Sequence, residues 1–146
     1  MKTNVLKSRK LLSFFLALVM VVSLLPVSRI TAFAATDPNT VADLQSAINN
    51  GGAVKLGGDI DLGSTVLSFP DNTPVTIDLN GHNLNKSSSY VMVIEAADSV
   101  TITDSVGTGT VTKGSGWYFF QNAGNLKIEG GIFNKSDYDL VYSKDS

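Results

Sequence analysis

One short pattern returns three times in this chain at a nearly fixed interval. Val75-Thr76-Ile77-Asp78-Leu79 recurs as Val100-Thr101-Ile102-Thr103-Asp104 and again as Leu126-Lys127-Ile128-Glu129-Gly130, with steps of 25 and 26 residues. A second set keeps phase with the first. Met92-Val93-Ile94 ends six residues before Val100, and Tyr118-Phe119-Phe120 ends six before Leu126. Internal periodicity of this kind is the signature of a repeat architecture. The interval is too long for a hairpin, and no helical pattern fills it as a βαβ crossover requires. Stacking each strand on its own copy gives parallel sheets with rungs ~4.8 Å apart. The expected fold is therefore all-β, a right-handed parallel β-helix of about four rungs, the hand following the rule for parallel crossovers. An antiparallel sandwich of similar short strands is the competing architecture, and it gives no reason for the repeats to stay in phase.

Alternation then sorts the faces. Val75, Val100 and Leu126 form one expected inward stack, and Ile77, Ile102 and Ile128 another. Thr76, Thr101 and Lys127 face solvent, as do Asp78, Thr103 and Glu129. Before the repeats, Val54-Lys55-Leu56, Asp59-Ile60-Asp61-Leu62 and Thr65-Val66-Leu67-Ser68-Phe69 read as short strands between turn residues. Residues 35–50 hold an expected capping helix. Thr40 is a good N-cap with Asp43 three residues on, Val41, Leu44 and Ile48 lie at helical spacing, and Asn49-Asn50-Gly51-Gly52 stops it. Leu140-Val141-Tyr142 begins a further strand, so the β-helix over 51–146 is expected to be incomplete at its C-terminus, the N-terminal part of a larger protein.

Residues 1–34 have another character. Lys2, Lys7, Arg9 and Lys10 precede an apolar run from Leu11 to Val27, Pro26 interrupts it, and Ala32-Phe33-Ala34 is a small-x-small cleavage signal. This is the layout of a secretory signal peptide, with retention as an anchor the alternative. Beyond it the chain carries 13 acids against 6 lysines and no arginine or cysteine. Such a balance excludes a phosphate-neutralising nucleic-acid binder, and no second long apolar segment follows to span a membrane. Without cysteine there are no disulfides or thiolate metal sites. The expected location is secreted or at the cell surface, with no membrane association once the leader is cleaved.

The residues of 40–48 with 51–56, together with 75–84, 100–105 and 126–133, resemble the cap and rungs of the pectin-lyase-like superfamily of right-handed β-helix proteins, as found in bacterial secreted and surface members. The likeness spans about residues 40–134 and is specific for fold rather than activity. It implies three kinds of relative: polysaccharide lyases, glycoside hydrolases and adhesin-like proteins without known catalysis. The lyases use calcium held by outward acids with an Arg or Lys as base. Here the arginine is missing, none of Lys55, Lys86, Lys113, Lys127, Lys135 and Lys144 lies in a recognised motif, and no Asp cluster has calcium-loop spacing.

Hydrolase members use paired carboxylates on the outer face. Asp78 and Glu129 project to one side two rungs apart, ~9.5 Å, at the wide end of the inverting range, and Asp59, Asp61 and Asp104 add to that face. As ordinary solvated acids they need no such role. His82 is the only histidine and falls in the Asn80-Gly81-His82-Asn83 turn, with no Ser-His-Asp arrangement in sequence. In Trp117-Tyr118-Phe119-Phe120, outward Trp117 and Tyr118 are the candidate glycan-stacking residues, while inward rings plug the coil. The threonine series at 101/103 and 108/110/112 is strand-forming composition rather than a flat ice-binding array. No cofactor or metal is called for. The expected function is a non-catalytic, adhesin-like module meeting extracellular glycan, cell wall or matrix; the alternative is the N-terminal part of a polysaccharide-degrading hydrolase or lyase.

Overall fold

The computed structural model describes residues 37–116, 118–134 and 139–144. The signal-peptide segment and Trp117 lie outside the described residues.

Among the described residues one helix, α1 (Val41–Asn50), precedes the strands. Thr40 holds an extended backbone and its Oγ1 accepts from the Asp43 N–H at 3.2 Å, closing the first turn as an N-cap does. Leu44 and Ile48 are the buried pair one turn apart. Gly51, at φ 73°, ends the helix and returns its N–H to the Ile48 carbonyl at 2.9 Å. Gln45 pins the helix to the first rung, donating to the Ser68 carbonyl (2.8 Å) and accepting from its N–H (3.3 Å).

The rest of the chain coils through β1 (Gly52–Lys55), β2 (Ile60–Asp61), β3 (Val75–Asp78), β4 (Asn83–Lys86), β5 (Met92–Ile94), β6 (Ser99–Thr103), β7 (Thr110–Lys113), β8 (Phe120–Asn122), β9 (Asn125–Ile128), β10 (Ile132–Asn134) and β11 (Val141–Ser143). Every pairing is parallel. Sheet A stacks β1-β3-β6-β9, sheet B β2-β4-β7-β10 and sheet C β5-β8-β11. The result is a parallel β-helix, a solenoid of about three turns with three faces. The repeat spacing thus reports true stacking: Val75, Val100 and Leu126 are register partners, and so are Val54, Ile77, Ile102 and Ile128.

Each face contributes one or two columns to the interior. Sheet A supplies the Val/Ile columns, sheet B Ile60, Leu84 and Val111, and sheet C Met92 and Phe120 above Leu67. Side chains of successive rungs sit directly over one another, so a β-branched residue meets its like at rung spacing and packs without a helix layer. Toward the last rung the filling becomes aromatic. Phe133 stands edge-on to both Phe119 and Phe120, with centroids at 6.2 and 5.8 Å.

Two strand expectations need correction. Thr65–Phe69 contributes only a bridge at Leu67 with Met92, since this first-rung segment has one neighbour to pair with and runs into Pro70, which lacks an N–H. The strand expected at Tyr118–Phe120 begins instead at Phe120, so Phe119 fills the corner before it and two consecutive phenylalanines are buried.

Candidate functional site

The outer side of sheet A carries the column Lys55, Asp78, Thr103, with Glu129 one step beyond the Ile102–Ile128 pairing. Asp78 and Glu129 therefore do share a face two rungs apart, ~9.5 Å along the stack. Their carboxylates are already engaged. Asp78 Oδ1 accepts from the N–H groups of Asn80 (2.9 Å) and Ser105 (2.8 Å). Burial pushes its pKa up, but the Ser105 and Asn80 hydrogen bonds and the Lys55 charge outweigh burial and hold it below the ordinary value. Glu129 meets Lys127 Nζ at 2.6 Å, and that contact raises the lysine. A hydrolase needs one carboxyl kept protonated as general acid, and Asp78 is driven the other way.

The remaining candidate acids line the corner between sheets A and B rather than one catalytic face. Asp104 accepts from Gly81 N–H (2.8 Å) and Gly109 N–H (2.7 Å). Burial again opposes ionisation, and the backbone donors of Gly81, Gly109, Gly107 and Val106 overcome it, so its pKa is lowered. Asp59 takes both the N–H and the side-chain amide of Asn83, at 2.8 and 2.9 Å. Those bonds lead in lowering its pKa, with His82 adding to them. Asn83 Oδ1 in turn accepts from Thr110 Oγ1 at 2.6 Å, so the ladder crosses three rungs. Asp61 stands nearby, accepting from the Gly63 N–H at 2.9 Å.

Structure brings Asp59 to His82, with Nδ1 and Oδ1 3.5 Å apart, a pairing that sequence reasoning missed. Their separation of 23 residues equals the first step of sheet A and is one short of the 24 of sheet B, so the signal lay in the period. His82 does occupy the expected turn, where Asn80 (φ 51°) and Gly81 (φ 78°) take left-handed backbone. Gly81 has no spare room: a Cβ there would press on Val106 and Thr108 at 3.0 Å.

Two lysines point inward. Lys86 and Lys113 are register partners on sheet B, 3 % and 7 % exposed. Lys86 Nζ donates to the carbonyls of Gly63 (3.1 Å) and Thr65 (2.7 Å) in the rung before it. Burial lowers both lysines below the usual ammonium range, with Asp61 partly offsetting this for Lys86. Lys86 thus fastens a corner between rungs.

The aromatic candidate divides in two. Phe119 and Phe120 belong to the core. Tyr118 lies half-buried outside it, its ring 5.2 Å from that of Tyr142 at 33°. Tyr142 is 42 % exposed and pairs in register with Gln121, itself paired with Val93, along the outer side of sheet C. Tyr90 precedes β5 by two residues as Tyr118 precedes β8. This strip presents rings with polar tips next to an amide. A shallow 340 Å³ depression beside α1, lined by Asp37, Pro38, Asp43, Ser46, Ala47 and Asn50, is the other concavity of note.

Among the described residues no three His, Cys, Asp or Glu side chains converge as a metal site, and no helix is long and apolar enough to cross a membrane. Comparison with protein-family models, curated proteins and solved structures returns no match.

Proposed function

We propose that this chain is a secreted or cell-surface β-helix module of the pectin-lyase-like kind, non-catalytic and adhesin-like, which engages an extracellular glycan or matrix polymer along the outer strip of sheet C. The observation that carries this reading is the Tyr118–Tyr142 ring pair beside Gln121 on the outer side of sheet C. Tyrosine rings offer an apolar face to a sugar and a hydroxyl to its substituents at low conformational cost. The acids that would serve catalysis are instead spent on turn N–H groups and on Lys127. Trp117 is proposed as a further stacking residue for the same ligand.

A panel of cell-wall and matrix polysaccharides, screened for retention on immobilised glycan, tests the proposal. The wild-type protein is expected to bind one class without releasing reducing ends. Tyr118→Ala and Tyr142→Ala are expected to weaken binding about tenfold each, the loss of one stacking contact of ~1.4 kcal/mol. The hydrolase reading draws on the shared column of Asp78 and Glu129. Release of reducing ends by the wild-type protein, abolished by Glu129→Gln, would replace the non-catalytic reading with that one.

A further inference from the structure

Among the described residues, the corner between sheets C and A holds two buried side-chain oxygens that accept no hydrogen bond. One is on Asp98, which immediately precedes β6 and is 3 % exposed. Its Oδ2 accepts from the Glu95 N–H at 2.8 Å, while its Oδ1 is cut off from solvent and has no donor. The other is Oδ1 of Asn122, the last residue of β8. Asn122 is the register partner of the fully buried Ile94 and points inward as Ile94 does, with β5 on one side of its strand and β11 on the other. Ile94 directly precedes Glu95, so the Asp98 carboxylate and the Asn122 amide lie at one corner on neighbouring rungs, ~4.8 Å apart along the stack. Backbone carbonyls add to the oxygen there. A Cβ on Gly124 would collide with the carbonyl oxygens of Glu95 and Asp98, each of which accepts one N–H at 3.0 Å and keeps a second lone pair.

We propose that this corner binds a calcium ion through Asp98 Oδ1, Asn122 Oδ1 and the carbonyls of Glu95 and Asp98. Two acceptors turned into one interior need a ligand that is positive toward both. Every group on offer is an oxygen, the donor set of a hard cation rather than of a transition metal. Calcium takes carboxylate, amide and carbonyl oxygens in irregular geometry, where magnesium demands an octahedron. Charge selects an ion over a bridging water. Among the described residues no salt bridge reaches Asp98. Lys144, whose N–H donates to the Asn122 carbonyl, carries its Nζ to within 3.9 Å of the Glu95 carboxylate instead. A buried carboxylate without a counter-charge is costly, and an ion removes that cost. With one acid the set differs from the clusters of three acids or histidines that the described residues lack. The ion ties the turn after β5 to β8 and so acts as a clamp between rungs.

Calorimetry on the full chain, stripped of divalent ions by chelation and then titrated with calcium chloride, tests the site. One ion is expected per chain, with a dissociation constant on the order of 10⁻⁴–10⁻³ M, as suits a site with a single carboxylate. The thermal midpoint is expected to rise with calcium concentration, because the ion binds the folded state. Asp98→Asn keeps the shape and an acceptor for the Glu95 N–H but removes the charge, and is expected to weaken binding about tenfold or more. Asn122→Asp adds a second carboxylate. It is expected to tighten binding about tenfold while lowering the midpoint of the metal-free protein, a gain that general loss of structure would not give. Asp71 is an exposed acid at the same corner one rung below, where the Asn72 N–H donates to the Ala97 carbonyl, and Asp71→Asn is expected to bind as the wild type does. A wild-type midpoint indifferent to calcium, the result if a water or the Asn122 amide N–H closes the corner, would overturn the proposal. So would calcium binding that neither Asp98→Asn nor Asn122→Asp alters.

Discussion

Replacing Ile102 with alanine tests the register on which every placement above depends. Ile102 is fully buried on β6, with Ile77 beneath it and Ile128 above it in the same column. The substitution removes three methyl or methylene groups, about 0.8 kcal/mol each in transfer free energy, or ~2.4 kcal/mol together. Rung partners are held by their own backbone ladders and cannot close the gap, so a cavity contribution brings the expected loss to ~3–5 kcal/mol. A domain of this size has ~5–15 kcal/mol in total, so about a fifth or more of its stability is at stake. Thr101, next along the strand, is only half-buried on the opposite side, and Thr101→Ala is expected to cost within about 0.5 kcal/mol. Urea unfolding followed by circular dichroism measures both, with an unchanged denaturant slope licensing the comparison. A slip of one residue exchanges the two faces of a strand. The reasoning fails if Thr101→Ala is as costly as Ile102→Ala, or if Ile102→Ala costs under 1 kcal/mol.

Further expectations concern the corner groups. Asp104→Ala strips the acceptor from the Gly81 and Gly109 N–H groups and is expected to lower stability by ~2–3 kcal/mol, with Asp104→Asn losing about half as much because it keeps one oxygen; urea midpoints distinguish the two. Asp78 and Asp104 have lowered folded pKa values, so their contribution is fully present above the unfolded carboxylate value of 3.8 and is lost as pH falls through the folded ones. Thermal midpoints should therefore drop below about pH 4, and less steeply in the Asp104→Asn variant. Lys86 and Lys113 act in the opposite direction. Burial makes their charged forms costly in the fold, so stability is expected to rise as pH climbs from the lowered folded values toward 10.5. Lys86→Met should reduce that alkaline rise, and an unchanged profile would contradict the inward placement of its ammonium.

Sheet A and the inward residues of sheet C were readable from the sequence because their columns alternate cleanly and recur in phase. The helix was readable for a local reason, since Thr40, Leu44, Ile48 and Gly51 each take the position that capping and helical spacing assign them. Sheet B was not. Its strands run Asn83-Leu84-Asn85-Lys86 and Thr110-Val111-Thr112-Lys113, with a lysine at an inward position, so neither resembles a half-buried strand. Only a corner that supplies carbonyls from another rung makes such a lysine admissible, and that is a tertiary fact. The same hidden face concealed the Asp59–His82 contact. The outward column of Asp78 and Glu129 was placed as expected, yet alternation says where a carboxylate points and nothing about which N–H groups reach it. For Asp78 turn geometry decided that, through Asn80 and Ser105.

The corner aspartates each bind backbone from more than their own rung: Asp78 spans the turns at Asn80 and Ser105, and Asp104 spans those at Gly81 and Gly109. In a linear stack each rung touches only its neighbours, and how sharply the whole array melts depends on the strength of that neighbour coupling relative to each rung's own stability. The edge between sheets A and B is thus riveted by carboxylates, whereas the edge between sheets B and C is held by the Lys86 ammonium on the Gly63 and Thr65 carbonyls. Protonating the rivets would do more than lower the midpoint. It would let the rungs fray one at a time, so that a single concerted transition at neutral pH broadens in acid, with the denaturant slope falling before the sheets themselves are lost.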